Sequence, residues 1–263
     1  MDILRKSMAP ICDKAWEEIN NTAVDLFSSV LSARKFVDVN GPKGLDFAAL
    51  PLGRIKVPEG QNGEVHYGIQ QVLPLIETRV PFELNIWELD NVARGAKHID
   101  LENLEQAARK LARFEENAIY KGFKEAGIQG LLDASDYDPM TLPEADEEFL
   151  QTISEAVAKF KNASVQGPYS LVMNMDLWQR FSASGKSYPL YKRVENLLGG
   201  AVIAAPFIEG AFLVSERGGD FELAIGEDIS IGYESHNNKT VQLYFTESFT
   251  FRVIDPAAVI PFK

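Results

Sequence analysis

The most informative part of the chain is residues 45–78, which read LDFAALPLGRIKVPEGQNGEVHYGIQQVLPLIET. Seven of these residues are glycine or proline, and apolar and polar residues alternate only over residues 54–57 and 64–69. The pattern predicts a long two-stranded arm with little core of its own. Because an isolated hairpin is only marginally stable in water, the arm should pack on something else, and another subunit is a natural candidate.

Helical and extended segments alternate on both sides of this arm. Before it, apolar residues at spacings of three and four predict a helix from Asp13 to about residue 31, followed by a strand-like piece at 34–39. After it, residues 79–90 alternate like a strand, although Trp87 interrupts the pattern, and residues 101–127 form the clearest helical stripe. The first half of the chain therefore mixes both kinds of element.

The rest of the chain predicts two or three more helices and then mainly strands. A helix opens at residues 141–143, a buried strand covers 169–174, and short helices cover 176–183 and 190–198. The later strands are expected at 201–208, 211–215, 221–225, 229–233, 241–245 and 249–254. This order is typical of an α+β protein rather than of regular βαβ alternation.

Composition excludes several classes of protein. Of 263 residues, 26 are basic and 38 acidic, so the net charge is −12, which argues against nucleic acid or an anionic membrane as the main partner. No run approaches the ~18 apolar residues of a membrane span, and the N-terminus does not look like a signal peptide. Cys12 is the only cysteine, which excludes an intrachain disulfide and favours a cytoplasmic protein.

A search for catalytic or metal-binding motifs finds none. The Gly185–Lys186–Ser187 tripeptide is like the end of a P-loop, but the earlier glycine that this loop requires is replaced by Arg180. The three histidines, at positions 66, 98 and 236, are not spaced as metal ligands. The sequence therefore predicts no enzymatic activity and no metal bound by this chain.

Trp87 is the aromatic residue with the most interesting neighbourhood. It can be a core or interface tryptophan, or a stacking platform for a flat ligand whose phosphate would meet Arg79. The sequence alone leaves both interpretations open.

Several blocks, taken in order, resemble the encapsulin shell proteins of family 1, once labelled linocin-type bacteriocins. They read RKFVDV at 34–39, GP at 41–42, LIE at 75–77, WELDN at 87–91, GPY at 167–169, SERGGDF at 215–221, DISIGY at 228–233 and TESFTF at 246–251. The resemblance runs from residue 2 to the end of the chain. It implies the α+β major capsid fold of tailed phages (Hong Kong 97-type) and a closed icosahedral shell of about 60 copies.

The resemblance also implies a division of the chain. Residues 1–44 would form the N-terminal helix and the start of the P-domain, 45–78 the E-loop, and 79–135 the P-domain with its spine helix. Residues 136–205 would belong mainly to the A-domain, and 206–263 would complete the A-domain and return to the P-domain. Nothing is fused before the first helix, so the cargo is expected to be a separate enzyme, a ferritin-like iron-storage protein or a dye-decolourising peroxidase, acting in iron homeostasis or oxidative stress.

Three sites are implied by the same resemblance. A targeting peptide at the C-terminus of the cargo would bind Phe27, Val30, Leu31, Arg34, Phe36, Asp38, Asp228, Ile229 and Tyr233, with acidic groups of the shell meeting basic residues of the peptide. A flavin of the FMN or riboflavin type would bind Trp87, Arg79 and Tyr188. A five-fold pore would be lined by Ser182, Ala183, Ser184, Gly185, Lys186 and Ser187.

Two other functions compete with the shell protein. A phage capsid subunit would share the fold but usually needs a scaffold segment or a maturation protease, and no scaffold-like extension precedes the first helix. A protease or bacteriocin, which the older family label suggests, would need a nucleophile and a base, and no such pair is apparent.

Overall fold

The chain folds into helices and strands whose order is that of an α+β protein. The structure is a computed structural model that describes residues 3–183 and 189–263. Its helices are α1 (Asp13–Val30), α2 (Ile86–Ala93), α3 (Glu102–Tyr120), α4 (Leu131–Ala134), α5 (Asp146–Asn162), α6 (Met175–Ala183) and α7 (Leu190–Leu198). Its strands are β1 (Asp38–Asn40), β2 (Ala49–Lys56), β3 (Ile69–Pro74), β4 (Ile76–Asn85), β5 (Tyr169–Met173), β6 (Gly199–Ala204), β7 (Ala211–Ser215), β8 (Phe221–Ile225), β9 (Ser230–His236), β10 (Thr240–Val253) and β11 (Val259–Phe262).

The larger sheet is organised around β10, a strand of 14 residues. β10 runs antiparallel to β4, from Thr240 opposite Asn85 to Phe249 opposite Ile76, and it also pairs with β8 and β9. β1 completes the sheet by running parallel to β8. The prediction of two separate strands at 241–245 and 249–254 was wrong, because the polar residues 246–248 between them are buried inside one continuous strand.

The smaller sheet has the order β11-β7-β5-β6, and the arm forms a separate pair. Strands β5, β7 and β11 are buried along their whole length. In the arm, β2 and β3 pair only with each other, and the arm exposes a series of apolar side chains: Ile55, Val57, Val65, Tyr67, Ile69 and Val72. Such exposed apolar surface is expected of a segment that packs on another chain.

The interior of the described residues contains two hydrophobic cores, and the larger sheet contributes side chains to both. In the first, α1 and the N-terminal part of α3 pack against β4, β9 and β10. The second contains the smaller sheet, α5, and the C-terminal residues Ala118, Ile119 and Tyr120 of α3. One helix therefore contributes side chains to both cores and fixes their relative position.

Two predicted boundaries around α2 and α3 were wrong for local reasons. The expected strand at 79–90 ends at Asn85, whose side chain accepts hydrogen bonds from the backbone N–H groups of Trp87 and Glu88 and so caps α2. The expected helix at 101–127 ends at Tyr120, because the chain turns at Gly122 and residues 123 and 128 then pair with each other.

Other boundaries also shifted. The helix expected from 141 begins at Asp146. The backbone N–H of Met140 donates to the carbonyl of Pro261 in β11, and this contact holds the segment before the helix extended. The strand-like piece at 34–39 is a 3-10 turn (Ala33–Lys35) followed by the short β1, and the strand expected at 201–208 is β6. The turn matters most, because it directs Arg34 towards the interior.

Replacing Gly122 by alanine should destabilise the chain far more than the same change at Gly95. Both glycines have left-handed backbone angles, with φ of +89° and +97°, so each alanine costs about 1–2 kcal/mol of strain. A Cβ on Gly122 would also lie 2.8 Å from the backbone nitrogen of Gly130, whereas a Cβ on Gly95 would meet nothing within 4 Å. Overpacking of this kind adds about 1–3 kcal/mol. Denaturant unfolding of both variants measures the difference, and equal losses would contradict the close approach.

Candidate functional site

The main concave feature of the described residues is a groove of about 480 Å³ between α1 and the β8–β9 region. One wall is a face of α1 on which residues recur at spacings of three and four: Asn20, Ala23, Val24, Phe27, Ser28 and Leu31. The opposite wall is the turn between β8 and β9, with the start of β9: Asp228, Ile229, Ser230 and Ile231. The groove is therefore made by two elements that lie about 200 residues apart in sequence.

The floor of the groove is apolar. Phe27 packs edge-to-face on Phe245 of β10, with 5.3 Å between ring centroids, and Phe82 of β4 also packs on Phe245, at 4.9 Å. Phe27 is 7% exposed and Val24 is 61% exposed. Phe27 thus belongs to both the core and the floor, while Val24 offers a free apolar contact. Such a surface suits an aliphatic ligand that enters from solvent.

Arg34 closes one end of the groove and lies among three carboxylates. Its Nη2 is 2.7 Å from Glu115 of α3 and 2.5 Å from Glu247 of β10, and its Nη1 is 2.9 Å from Asp228. The side chains of Glu115 and Glu247 are fully buried, whereas that of Asp228 is 48% exposed. Arg34 is therefore paired with carboxylates of the same chain and is not available to form an ion pair with a ligand.

The acidic residues next to this arginine have unusual protonation. Burial, followed by the negative charge of Glu115, raises the pKa of Glu247 well above the usual range, although Arg34 acts in the opposite direction. Burial likewise raises the pKa of Glu116 to about 7, although hydrogen bonds from the Ser32 hydroxyl and the Ala33 N–H act against this rise. Two buried carboxyl groups with raised pKa values therefore lie near the Arg34 end of the groove.

The structure brings five of the nine predicted peptide-binding residues to this groove and places the others elsewhere. Phe27, Leu31, Arg34, Asp228 and Ile229 line it. The remaining four, Val30, Phe36, Asp38 and Tyr233, do not.

Each of these four has another environment. Val30 is buried in the core under α1, and Phe36 packs edge-to-face on Phe221 in the other core. Asp38, on β1, accepts a hydrogen bond from the backbone N–H of Gly219. The Tyr233 hydroxyl lies 2.7 Å from Nδ1 of His236. Neighbouring residues in sequence point to different sides of a strand or turn, so proximity along the chain misled the prediction.

Sequence reasoning missed two groove residues that carry free charge. Lys6 and Lys35 both line the groove, and neither forms an ion pair with any residue that the structure describes. Both lysines therefore add positive charge to the groove, whereas at its Arg34 end three carboxylates surround one guanidinium. The expectation that acidic groups of the shell meet basic residues of the peptide stays a prediction.

Of the three residues predicted to bind flavin, the structure describes Trp87 and Arg79, which do not lie together. Trp87 lies on α2 with 71% of its surface exposed. Arg79 lies on β4, with its guanidinium carbon 4.1 Å from the centre of the Tyr244 ring. From Arg79 to Asn85, which ends β4 just before Trp87, the strand backbone extends about 20 Å. Tyr188 lies outside the described residues. A flavin does not fit this arrangement unless another subunit contributes to it.

The predicted pore residues are only partly described. Ser182 and Ala183 are exposed at the end of α6, while Ser184, Gly185, Lys186 and Ser187 lie outside the described residues. Among the residues that the structure does describe, no group of histidine, cysteine and acidic side chains could hold a metal ion. No described helix is long and apolar enough to cross a membrane.

The fold is shared with proteins that form capsids. A virus-like particle of Pyrococcus furiosus has a TM-score of 0.69 to this chain, covering 93% of this chain and 98% of that chain at 19% identity. The capsid of an empty GTA particle has a TM-score of 0.55, covering 89% of both chains at 17% identity. At such identities the similarity shows the fold alone. The predicted α+β capsid fold of tailed phages is confirmed.

Sequence comparison decides the family. The Linocin_M18 family, described as an encapsulating protein for peroxidase, matches residues 1–250. The chain belongs to this family of encapsulin shell proteins. Type 1 encapsulin shell proteins of Mycobacterium tuberculosis and Mycolicibacterium paratuberculosis are 40% identical over 253 residues and 38% identical over 262 residues. The matches cover 95% of each chain in the first case and 99% in the second.

Membership settles two of the predictions. Encapsulin shell proteins are structural, so the prediction that the chain is a shell subunit and not an enzyme is confirmed. The competing protease or bacteriocin interpretation loses its support, and the encapsulin match distinguishes the chain from a phage capsid subunit of the same fold.

Proposed function

We propose that about 60 copies of this chain form a closed icosahedral shell, which binds a cargo enzyme through a peptide in the α1 groove. The observation that carries the peptide site is the groove itself, with its apolar floor at Phe27 and Phe245 and its open apolar wall at Val24. An extended peptide could bury aliphatic side chains there without any change in the core. The peptide would lie at the C-terminus of the cargo protein.

The charges at the groove refine the chemistry of this peptide. Lys6 and Lys35 line the groove and form no ion pair with a described residue, so a basic group of the peptide placed beside them would oppose binding. We therefore expect aliphatic anchors flanked by a carboxylate, which the C-terminus of the cargo can itself supply.

The identity of the cargo follows from the family only in outline. The family is described as encapsulating a peroxidase, which supports a dye-decolourising peroxidase over an iron-storage protein as the first cargo to test. We place the shell in the cytoplasm, because its single cysteine, Cys12, suits a reducing compartment.

We also propose that residues 182–187 line the five-fold pore of the shell and that Lys186 gives this pore a basic ring.

Electron microscopy and mass measurement of the purified chain test the shell. Uniform closed particles with a mass corresponding to about 60 subunits support the proposal. A monomeric chain, open filaments or closed particles of another copy number would contradict it. Co-expression with a peroxidase then shows whether the particles contain cargo.

We propose separately that a flavin stacks on Trp87, at a site whose opposite face is supplied by a neighbouring subunit. Purified shells should release a fluorescent flavin on denaturation, and Trp87→Ala should abolish it because an exposed indole is the stacking surface. Trp178→Ala is the matched control, since Trp178 is also exposed but lies on α6. Colourless shells without flavin, or equal loss in both variants, would contradict the assignment.

A further inference from the structure

The acidic cluster under the groove has more negative than positive charge. Among the described residues, Arg34 is the one cation that forms ion pairs with Glu115, Glu247 and Asp228, so full ionisation of this cluster would leave a net charge of −2 at the groove wall. Glu115 and Glu247 are completely buried, and Oε2 of Glu247 has no hydrogen-bond partner among the described residues. Two buried carboxylates beside one guanidinium share a proton more readily than they both ionise.

The charged groups that act on Glu247 come from three separate elements. They are Glu115 on α3, Arg34 in the turn before β1, and Asp228 between β8 and β9. Strand β4 contributes only the neutral Thr78, whose hydroxyl donates to the Glu247 backbone carbonyl. The balance of the cluster therefore depends on a single arginine and on protonation.

The cluster is connected to the groove by two of its members. Arg34 and Asp228 both line the groove, and Oδ1 of Asp228 also accepts a hydrogen bond from the N–H of Ile229, another lining residue. Asp228 is half exposed, so it is the carboxylate that can move outward. The Arg34–Asp228 contact thus holds the end of α1 against the turn that forms the opposite wall.

We propose that Glu247 is a positioning residue for the peptide groove, and that a proton on its buried carboxyl group, beside Glu115 and Arg34, maintains the closed wall that binds the peptide. This inference rests on the proposed peptide site. With the proton bound, the cluster has a net charge of −1 and Arg34 keeps Asp228 in place. Without it, two buried negative charges compete for Arg34 and repel Asp228 into the groove.

The direction of the pH effect follows from the raised pKa of Glu247. The protonated form is the binding form, so affinity is greatest on the acidic side and is lost as the pH rises through that pKa. By reciprocity, bound peptide must favour proton uptake by the cluster. A shift of one pKa unit between the free and bound states corresponds to a tenfold change in affinity.

The test uses shells loaded by co-expression with a fluorescent protein fused to the C-terminal tail of a peroxidase enclosed by a related shell. Time-resolved anisotropy separates tethered from freely rotating reporter inside the sealed particle, and the same reporter in free solution corrects for direct pH effects. As the pH rises, the ratio of bound to free reporter should fall in the wild type, by about tenfold for each unit by which bound peptide raises the pKa of Glu247. Glu247→Gln, which stays neutral, should change it by less than about twofold.

A second variant keeps the inference falsifiable if Glu247→Gln does not fold. Asp228→Asn removes a negative neighbour that helps to raise the pKa of Glu247, so the midpoint of the profile should move to lower pH. A purely structural role of Asp228 would weaken binding without moving the midpoint. A flat wild-type profile, or an unchanged midpoint in Asp228→Asn, would overturn the inference.

Failure of the peptide site itself would give another result. Blocking the groove with Ser28→Trp should release the reporter at every pH. If that variant has no effect, the proposed peptide site is wrong. If it releases the reporter while the wild-type profile is flat, only the inference about Glu247 is wrong.

Discussion

A chain that lacks the distal part of its arm should no longer form closed shells, although the subunit should remain folded. Pro51 of β2 lies opposite Val72 of β3, so residues 52–71 can be replaced by an Asn-Gly turn that joins these two positions. The shortened arm keeps Leu50, which is buried at its base. Both hydrophobic cores lie outside the deleted segment.

The expected effect is large because the apolar side chains of the arm are exposed in the single subunit. Ile55, Val57, Val65 and Tyr67 are each more than half exposed. Burying side chains of this size contributes about 1.5–3 kcal/mol each, and every subunit of a closed shell would lose them at once. Assembly should therefore be abolished at micromolar concentration rather than slightly weakened.

Size-exclusion chromatography and electron microscopy measure the outcome, with the full-length chain as control. Circular dichroism and a cooperative thermal transition show whether the shortened subunit is folded. Intact closed shells from the shortened chain would contradict the role of the arm.

Filling the groove should empty the shell of cargo without changing its size. Ser28 is exposed on α1 and lines the groove, so Ser28→Trp places an indole where the peptide would lie. Loss of a central contact region typically costs 2 kcal/mol or more, about 30-fold in affinity. The amount of peroxidase that co-purifies with the shell should fall accordingly.

The matched control is Asn21→Trp, because Asn21 is exposed on the same helix but does not line the groove. It should retain normal cargo. Phe27→Ala is a poorer test, since Phe27 also fills the core and its loss would cost about 3–5 kcal/mol of stability. Equal cargo content in Ser28→Trp and Asn21→Trp shells of normal size would show that the peptide binds elsewhere.

Hydrophobic periodicity predicted the helices and strands in which apolar residues recur at a regular spacing. The stripes of α1, α3 and α5 and the alternation of β4 were recognisable because each buries one continuous face. The errors occurred where a short-range contact ended an element. Asn85 capped α2 inside an apparently extended run, and the turn at Gly122 ended α3 early.

The groove was only partly predictable. Phe27 and Leu31, which continue the helical stripe, line the groove, whereas Phe36 and Asp38 do not, because a turn and a strand redirect their side chains. The spacing of residues 20, 24, 27, 28 and 31 along one side of α1 could have found the rest of the α1 wall.

By itself the sequence determined the α+β class, the poorly supported arm, the absence of recognisable catalytic motifs and the resemblance to encapsulin shells, because periodicity, composition and ordered blocks are properties of the chain. Only the tertiary structure decided that Glu247, in the middle of an apparently broken strand, meets Arg34, Glu115 and Asp228. These groups lie up to 213 residues apart, and sequence spacing carries no information on which side chains share a buried site. Their protonation depends on burial and on mutual distance, which exist only once the chain has folded.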